Sequence, residues 1–268
     1  MTPTSKIDND NNNKSVLLVQ QDDLGVLTLT LNRPQQRNAL NRQLLLELHT
    51  VLSKIDASVR VIVVQGSGPV FCSGHDLKEL SKLDPSQQED VFQTCNQVMR
   101  SFQEVPQPTI SLVNGMATAA GCQLVAATDM AVASFKATFC TPGVNLGLFC
   151  HTPAVPLVRC VGTKRAMDML LTGRIISAQE ALEYGLVSRL VADIETEGPK
   201  LAQAIASKSA CAVQMGKRIF YQQAQATTDL EKAYQIAGSA MVKNLKTYDA
   251  THGIESFLKK AQPNWKHK

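Results

Sequence analysis

The sequence predicts an α/β fold that ends in an α-helical part. Short apolar runs that resemble buried strands alternate with segments of helical periodicity, and from about Pro199 onward the periodicity is helical throughout. The 268 residues, 44% of them hydrophobic, suffice for one sizeable core. We predict a core over residues 16–198 and a helical region over residues 199–268, preceded by a disordered tail over residues 1–15, which is rich in Asn and Asp.

The first strands and helices are predicted from alternating apolar residues and from helix-capping residues. Residues 26–31 alternate apolar side chains with threonine, which predicts a half-buried strand. Asn41 then caps a helix with an apolar face. The apolar run 61–64 predicts a parallel strand that is buried on both faces. Asp84 and Pro85 provide a cap and a first helical residue, so a long helix is expected to begin there.

The remaining elements follow from the same patterns. Residues 109–113 and 130–133 are mainly apolar and predict two further strands. A helix is expected from Thr152 onward, because a proline follows it. A capping box starts a short helix at Ser177, and residues 186–191 predict the last strand.

Charge and cysteine content narrow the class of protein. A net charge of +4, without a block of Lys or Arg, is compatible with a small anionic ligand as well as with a nucleic acid. No apolar run is long enough to span a bilayer. The seven cysteines include no C-x-x-C pair and lack metal-site spacing, so we interpret them as free thiols in a reducing compartment. Neither a signal peptide nor a transit peptide is evident.

Residues 114–123 are the first stretch with chemical meaning. They join a predicted strand to a predicted helix, and almost every side chain in them is small. Small side chains let backbone N–H groups approach a ligand, and the first turn of a helix presents unpaired N–H donors and the positive end of its dipole. These are the properties of an oxyanion hole. The alternative is that the small residues only let the helix pack tightly on the sheet.

Three motifs, taken in order, resemble those of the enoyl-CoA hydratase/isomerase, or crotonase, superfamily. They are F-C-S-G-H-D-L-K-E-L at residues 71–80, N-G-x-A-x-x-A-G-C-Q at residues 114–123 and L-T-G-R-I-I-S-A-Q-E-A-L-E-Y-G-L-V at residues 171–187. The resemblance extends over residues 16–268. It implies a crotonase-like ββα superhelix with a C-terminal α-helical trimerisation region, and acyl-CoA thioesters as ligands.

The resemblance also implies roles for individual residues. The backbone N–H groups of His75 and Ala120 correspond by position to the pair that holds the thioester oxygen in this family and stabilises an enolate. Lys78 and Lys260 match positions that contact CoA in this family; the alternative is that each is an ordinary solvated lysine at the surface. The positions that match the family's CoA-binding segments are Arg37, Asn38, Ala39, Leu40, His75, Asp76, Leu77, Lys78, Ala120 and, from a neighbouring subunit, Lys260.

The partners implied by the resemblance are few. An acyl-CoA is the expected small molecule, with coenzyme A as part of the substrate and no separate cofactor. A homotrimer or hexamer is the expected assembly. No metal ligand set, nucleic acid partner or membrane span is predicted.

Two positions depart from the hydratases of this family, which use two glutamates to handle water. The sequence has Gln123 and Gly143 at these positions. Neither side chain exchanges a proton near neutral pH, and general acid–base catalysis contributes roughly 10²–10⁴-fold in rate. We therefore expect classical hydration to be nearly abolished.

His151 is a speculative substitute for the missing acid and base. It lies just beyond Gly143, where the family's chain borders the acyl pocket, and histidine exchanges protons near neutral pH. The alternative is a structural or solvated histidine. Cys150 is a weaker candidate as a nucleophile, because its neighbour His151 is the one evident base and adjacent side chains rarely face each other.

Two functional hypotheses follow. In the first, the protein is an enoyl-CoA hydratase/isomerase-like enzyme of fatty acid metabolism whose chemistry needs the enolate-stabilising site alone, as in decarboxylation of a malonyl-type thioester. In the second, it is a non-catalytic acyl-CoA-binding or regulatory protein. The resemblance implies a mitochondrial protein, and the cytoplasm is the alternative because no transit peptide is evident.

Overall fold

The structure, a computed structural model, describes residues 15–225 and 229–268. The predicted tail lies outside this part of the chain except for Ser15. The described residues form ten strands, β1 (Leu17–Gln21), β2 (Val26–Leu31), β3 (Val61–Gly66), β4 (Val70–Cys72), β5 (Thr109–Val113), β6 (Met116–Thr118), β7 (Met130–Ser134), β8 (Thr138–Cys140), β9 (Ile176–Ser177) and β10 (Arg189–Val191). They also form eleven α-helices, α1 (Arg42–Leu52), α2 (Leu77–Leu80), α3 (Pro85–Glu104), α4 (Ala120–Ala127), α5 (His151–Val161), α6 (Thr163–Thr172), α7 (Ala178–Tyr184), α8 (Ile194–Ala206), α9 (Ala210–Gln225), α10 (Leu230–Leu245) and α11 (Tyr248–Leu258).

The strands form two sheets, and the chain moves between them repeatedly. In the larger sheet the order is β1-β2-β3-β5-β7-β10, with β1 antiparallel to β2 and the other neighbours parallel. In the smaller sheet the order is β4-β6-β8-β9, with β9 antiparallel to β8. β3, β5 and β7 are each followed by a strand of the smaller sheet and then by helices. This is the repeated ββα arrangement that the resemblance implied.

Burial of the central strands explains why the larger sheet is parallel. All five residues of β5 and the first four of β3 are buried, as expected for parallel strands that are covered on both faces. On one face lies the main core, to which α1 contributes Leu44, Leu45 and Leu48. On the other face α8 packs with Leu201 and Ala202.

The predicted helix caps are confirmed. The side chain of Asn41 accepts a hydrogen bond of 3.0 Å from the N–H of Leu44 at the start of α1. Asp84 and Gln87 form a capping box at the start of α3, with bonds of 2.9 and 3.1 Å. Ser177 begins a second capping box before α7. Each cap satisfies donors that the first turn of a helix leaves unpaired.

Other boundaries differ from the prediction. Helix α5 begins one residue before Thr152, and Pro199 lies inside α8. The predicted strand 186–191 is reduced to β10, because the N–H groups of Leu186 and Val187 donate to the carbonyl of Ala181 and close the end of α7. The strands of the smaller sheet escaped prediction, since two or three residues are too few to show alternation.

Helix α9 is tied to the core by a buried charged network. Nζ of Lys217 lies 2.8 Å from Oδ2 of Asp129, and the hydroxyl of Tyr221 donates to Oδ1 of the same carboxylate at 2.8 Å. The N–H of Thr109 also donates to Asp129, at 2.7 Å. Burial lowers the pKa of Lys217 and raises that of Tyr221. The network places α9 beside the C-terminal end of α4.

None of the helices in the described part of the chain is long and apolar enough to cross a bilayer.

Candidate active site

Two loops that are distant in sequence meet at Ala119, the residue before α4. Its N–H donates to the carbonyl of Cys140 at 2.9 Å, and its carbonyl accepts from the N–H of Gln123 at 3.0 Å. A Cβ atom built on Gly74 would lie 3.0 Å from Cβ of Ala119 and 3.4 Å from the nitrogen of Ala120. The motifs at residues 71–80 and 114–123 are therefore in direct contact.

Ala119 has an uncommon backbone conformation. Its φ of 49° and ψ of −117° lie where residues other than glycine are rarely found. Such a conformation costs about 1–3 kcal/mol and occurs most often at functional sites. It turns the chain from β6 directly into α4, whose first residue is Ala120.

The N–H groups of His75 and Ala120 are both unpaired within the described residues. The N–H of Leu40 donates to the carbonyl of Gly74 at 2.8 Å, and the N–H of Asp76 donates to the carbonyl of Leu40 at 3.0 Å. Because alternate residues of an extended segment direct their N–H groups to opposite sides, the N–H of His75 points away from Leu40. At Ala120 the first turn of α4 supplies the donor.

Close packing accounts for other small residues of the stretch 114–123. A Cβ atom on Gly121 would lie 2.2 Å from the carbonyl oxygen of Cys72, so α4 approaches β4 too closely for any side chain there. The two interpretations of the stretch thus apply to different residues: packing explains Gly121, whereas the unpaired donor belongs to Ala120.

The side chain of His75 has a role that the sequence did not suggest. Its ring packs edge-on against Phe92 of α3, with ring centroids 4.9 Å apart, and its Nε2 atom is buried without a partner among the described residues. Burial lowers the pKa of His75 to about 4, so the imidazole is neutral near pH 7.

Two further buried polar atoms near Ala119 have no partner among the described residues. They are Oε1 of Gln123, a residue that is 3% exposed, and Oγ1 of the fully buried Thr141. Gln123 is bonded to Ala119 through its N–H, and Thr141 follows Cys140, which accepts from Ala119. Each such atom costs about 1–3 kcal/mol when unpaired. The start of α4 is therefore surrounded by groups that can bind a polar ligand.

A large cavity opens beside these residues. We call it the α3–α9 cavity; its volume is about 1040 Å³, and α3, α4, α5 and α9 form its walls. Gln123 and His151 both line it, so the structure brings these two predicted residues together. Its lining residues are Asn96, Met99, Arg100, Gln103, Glu104, Gln123, Ala127, His151, Thr152, Val155, Pro156, Arg159, Arg218, Tyr221 and Gln222.

Gly143 is not among the described residues that line this cavity; it lies in a 3₁₀ turn formed by Pro142–Leu146. A Cβ atom on Gly143 would lie 2.9 Å from Sγ of Cys150, which leaves no room for a larger side chain without movement. Burial raises the pKa of Cys150, so its thiol stays protonated near pH 7 and is a poor nucleophile. His151 is exposed and packs against the ring of Phe149, 4.9 Å away.

The segment 37–40 adjoins the segment 75–78, as the CoA-binding prediction requires. Several of the predicted side chains have structural roles here. Asn38 is fully buried, and its amide donates to the carbonyls of Ser67 at 2.9 Å and Val70 at 2.7 Å. Asp76 caps α2 and pairs with Arg33 at 2.9 Å. These two side chains hold the loops in place.

The other predicted CoA-binding residues differ in exposure. Ala39 and Leu40 are buried, and their backbone N–H groups donate to the carbonyls of Gln36 and Gly74, so these two residues hold the loop in place. Arg37, Leu77 and Lys78 are exposed at the surface of the same loops. Lys260 is exposed at the end of α11, and no hydrogen bond or ion pair within the described residues joins it to these loops.

Sequence reasoning missed most of the cavity wall. On α3, Asn96, Met99, Arg100 and Gln103 recur at helical spacing, a periodicity that was available in the sequence. No sequence pattern near Arg218 or the other residues of α9 indicates that they line a cavity, because their position depends on contacts between distant segments.

Comparison with known proteins identifies the family. The family model described as "Enoyl-CoA hydratase/isomerase" matches residues 21–268. The chain belongs to this family. A rat member named "Enoyl-CoA hydratase domain-containing protein 3, mitochondrial" is 48% identical over 253 residues, which cover 92% of this chain and 83% of the rat protein. The motifs had indicated similarity to this subfamily, and that interpretation is confirmed.

Solved structures of the enoyl-CoA hydratase/isomerase family confirm the fold. The crystal structure of the enoyl-CoA hydratase of Mycobacterium smegmatis has a TM-score of 0.91 at 45% identity and covers 94% of this chain and 99% of that one. The human enoyl-CoA hydratase domain-containing protein 3 has a TM-score of 0.89 at 45% identity and covers 94% of this chain and 100% of that one. The predicted crotonase-like α/β fold is therefore correct.

Proposed function

We propose that this family member binds acyl-CoA thioesters of fatty acid metabolism and stabilises a thioester enolate with the N–H groups of His75 and Ala120. The observation that carries the proposal is the pair of unpaired N–H donors on two contacting loops, one of them at the start of α4. Donors that are fixed where negative charge develops lower a barrier, and one such donor is worth about 3 kcal/mol.

Classical hydration is not part of this proposal. Gln123 stands at one glutamate position of the hydratases, and Gly143 stands at the other. The contact between Gly143 and Cys150 further supports a site without the second carboxylate. A reaction that forms the enolate without a carboxylate base fits better. In the decarboxylation of a malonyl-type thioester, the bond from Cα to the carboxylate breaks, carbon dioxide leaves and the electron pair becomes the enolate.

A second candidate mechanism assigns acid–base chemistry to His151, which lines the cavity together with Gln123. The absence of both glutamates also favours a non-catalytic acyl-CoA-binding or regulatory protein, which would use the same donors to hold a thioester without turning it over.

The assembly and the compartment are further parts of the proposal. The C-terminal helices expose large apolar side chains, which supports burial against neighbouring subunits in a homotrimer or hexamer. Lys260 of one subunit would then reach the CoA of another. The printed name of the rat relative includes "mitochondrial", and we assign this chain to the same compartment.

Turnover and binding of a panel of acyl-CoAs test the proposal. The panel contains saturated, 2-enoyl and malonyl-type thioesters, with products identified by mass spectrometry and binding followed by calorimetry. Binding of thioesters, with products restricted to reactions through an enolate, supports an enzyme. Binding without any product supports the non-catalytic alternative. If neither free CoA nor any thioester binds, the proposed function is wrong.

A further inference from the structure

Many of the side chains that line the α3–α9 cavity are polar or charged. Four of its fifteen lining residues have apolar side chains, namely Met99, Ala127, Val155 and Pro156. Pockets for apolar ligands are usually lined by apolar and aromatic side chains. A plain hydrocarbon tail would contact the apolar part of this lining but would give the charged groups no partner.

The cavity has a reactive end and a distal end. At 1.5 Å per residue, the α4 wall runs about 10 Å from Ala120 to Ala127. Helix α5 runs in the same direction as α4. At its start, His151 lines the cavity together with Gln123. Near its end, Sγ of Cys160 lies 3.4 Å from the carbonyl oxygen of Ala126. The end at Gln123 and His151 therefore adjoins the proposed thioester site.

Helix α3 runs in this direction too. Phe92, near its start, contacts His75, and the carbonyl of Phe102, near its end, accepts from the hydroxyl of Thr109. Thr109 binds Asp129, which also holds α9 through Tyr221. All three helices thus end near α9, and this helix closes the distal end of the cavity.

The distal end carries an excess of positive charge. Arg100, Arg159 and Arg218 line the cavity together with one carboxylate, Glu104. That carboxylate pairs with Arg100 at 2.6 Å. Arg159 donates to the carbonyl of Val155 in its own helix. Among the described residues, neither Arg159 nor Arg218 pairs with a carboxylate.

We propose that the cavity takes an acyl chain whose distal end is a carboxylate, bound by Arg159 and Arg218. This inference rests on the proposed acyl-CoA function and specifies its substrate class. The aliphatic stems of the arginines contact the methylene chain, while their planar guanidinium groups suit a carboxylate. The polar lining between the two ends tolerates water, which a dicarboxylic acyl chain accommodates better than a hydrocarbon does.

A matched pair of ligands tests the inference. Adipyl-CoA and hexanoyl-CoA have the same chain length and differ in the distal group, a carboxylate or a methyl. Calorimetry on the wild-type protein should give a dissociation constant about tenfold lower for adipyl-CoA, as expected for a charge-assisted contact. Because part of the arginine surface is exposed, the preference should decrease as sodium chloride is added.

Variants separate the arginines from general electrostatic attraction. The double variant Arg159→Gln/Arg218→Gln should lose the preference for adipyl-CoA, while its affinity for hexanoyl-CoA should change much less, because only contacts with the arginine stems are lost. The control Arg189→Gln removes one exposed positive charge on β10, away from the cavity, and should keep the preference. Sedimentation of each variant monitors the assembly.

The possible outcomes are distinct. Equal affinity of the wild type for the two thioesters would overturn the inference and leave the proposed function standing. A double variant that keeps the preference for adipyl-CoA would also overturn the inference. If that variant in addition changes the assembly, the arginines belong to a subunit interface. Failure of the wild type to bind any CoA thioester would overturn both proposals.

Discussion

A Cβ atom built on Gly143 would lie 2.9 Å from Sγ of Cys150. The resemblance to the family assigns Gly143 to a position where its hydratases have a glutamate, and the surroundings of Gly143 would oppose such a side chain. The φ of Gly143 is outside the positive region, so the obstacle is contact with Cys150 and not the backbone conformation. The glycine at residue 143 and the position of Cys150 are therefore linked.

Gly143→Glu should destabilise the protein, and Cys150→Ala should relieve part of the effect. Overpacking of this kind costs about 1–3 kcal/mol of the free energy of unfolding. Urea unfolding of both single variants and the double variant measures it. Gly216→Glu is the matched control, because a Cβ atom there has no neighbour within 4 Å. A Gly143→Glu variant as stable as the wild type would show that the contact is unimportant.

Crotonyl-CoA hydration should be absent or very slow, and Gln123→Glu alone should not restore it. One carboxylate lacks the partner that positions water and shuttles the proton, and residues that act as a unit are strongly non-additive. The triple variant Gln123→Glu/Gly143→Glu/Cys150→Ala should be faster than either single repair. Loss of enoyl absorbance with time measures the rates. Wild-type turnover near roughly 10 s⁻¹, an ordinary enzyme value, would contradict the prediction and point to His151 or another group.

The free energy of unfolding should depend on the protonation of His75. Burial lowers its pKa from 6.5 to about 4, so between these pH values the unfolded chain binds more protons than the folded protein. The stability is therefore complete above pH 6.5 and decreases as the pH falls toward 4. The loss from pH 7 to pH 5 should be about 2 kcal/mol.

Urea unfolding at pH 7 and pH 5 measures this dependence. His75→Gln should remove the part due to His75, and because glutamine keeps the backbone N–H, the proposed donor is unaffected. His151→Gln serves as the control, since His151 is exposed. An unchanged difference between the two pH values in His75→Gln would show that another group is responsible.

Lys78→Ala and Lys260→Ala should each weaken the binding of CoA. The ligand is polyanionic and both side chains are exposed at positions where the family binds CoA. Calorimetry at two salt concentrations should show smaller effects at high salt, because exposed ion pairs are screened. Lys54→Ala, at the far end of α1, is the control. The assigned CoA site would be wrong if neither Lys78→Ala nor Lys260→Ala changes the dissociation constant.

Sedimentation should show a trimer or a hexamer. Tyr234, Phe257 and Leu258 of the C-terminal helices are 72%, 81% and 75% exposed, and such apolar surface is normally covered. Phe257→Asp should weaken the assembly, because it places a charge in the covered surface. Leu24→Asp, at an exposed apolar residue of the turn after β1, should not. A wild-type monomer at micromolar concentration would rule out the predicted assembly.

Local patterns in the sequence determined many of the longer elements and their caps. Asn41, Asp84 and Ser177 were identified as caps because a cap needs only its own helix's first turn. The buried strand 109–113 was identified from apolar residues alone. The family motifs also lie in the sequence, as do Gln123 and Gly143, which depart from the hydratase pattern. Helical structure is expected from about Pro199 onward, and helix α8 begins earlier, at Ile194.

Tertiary structure alone decided which of these residues meet. Gly74 contacts Ala119, Cys150 fills the space beside Gly143, and Arg218 reaches the cavity because Tyr221 binds Asp129. The physical reason is that each contact joins segments whose spacing is fixed by the packing of sheets and helices, not by the residues between them. The residue types of the candidate site can therefore be identified from the sequence. The shape and charge of the α3–α9 cavity arise only when the distant helices α3, α5 and α9 pack around α4.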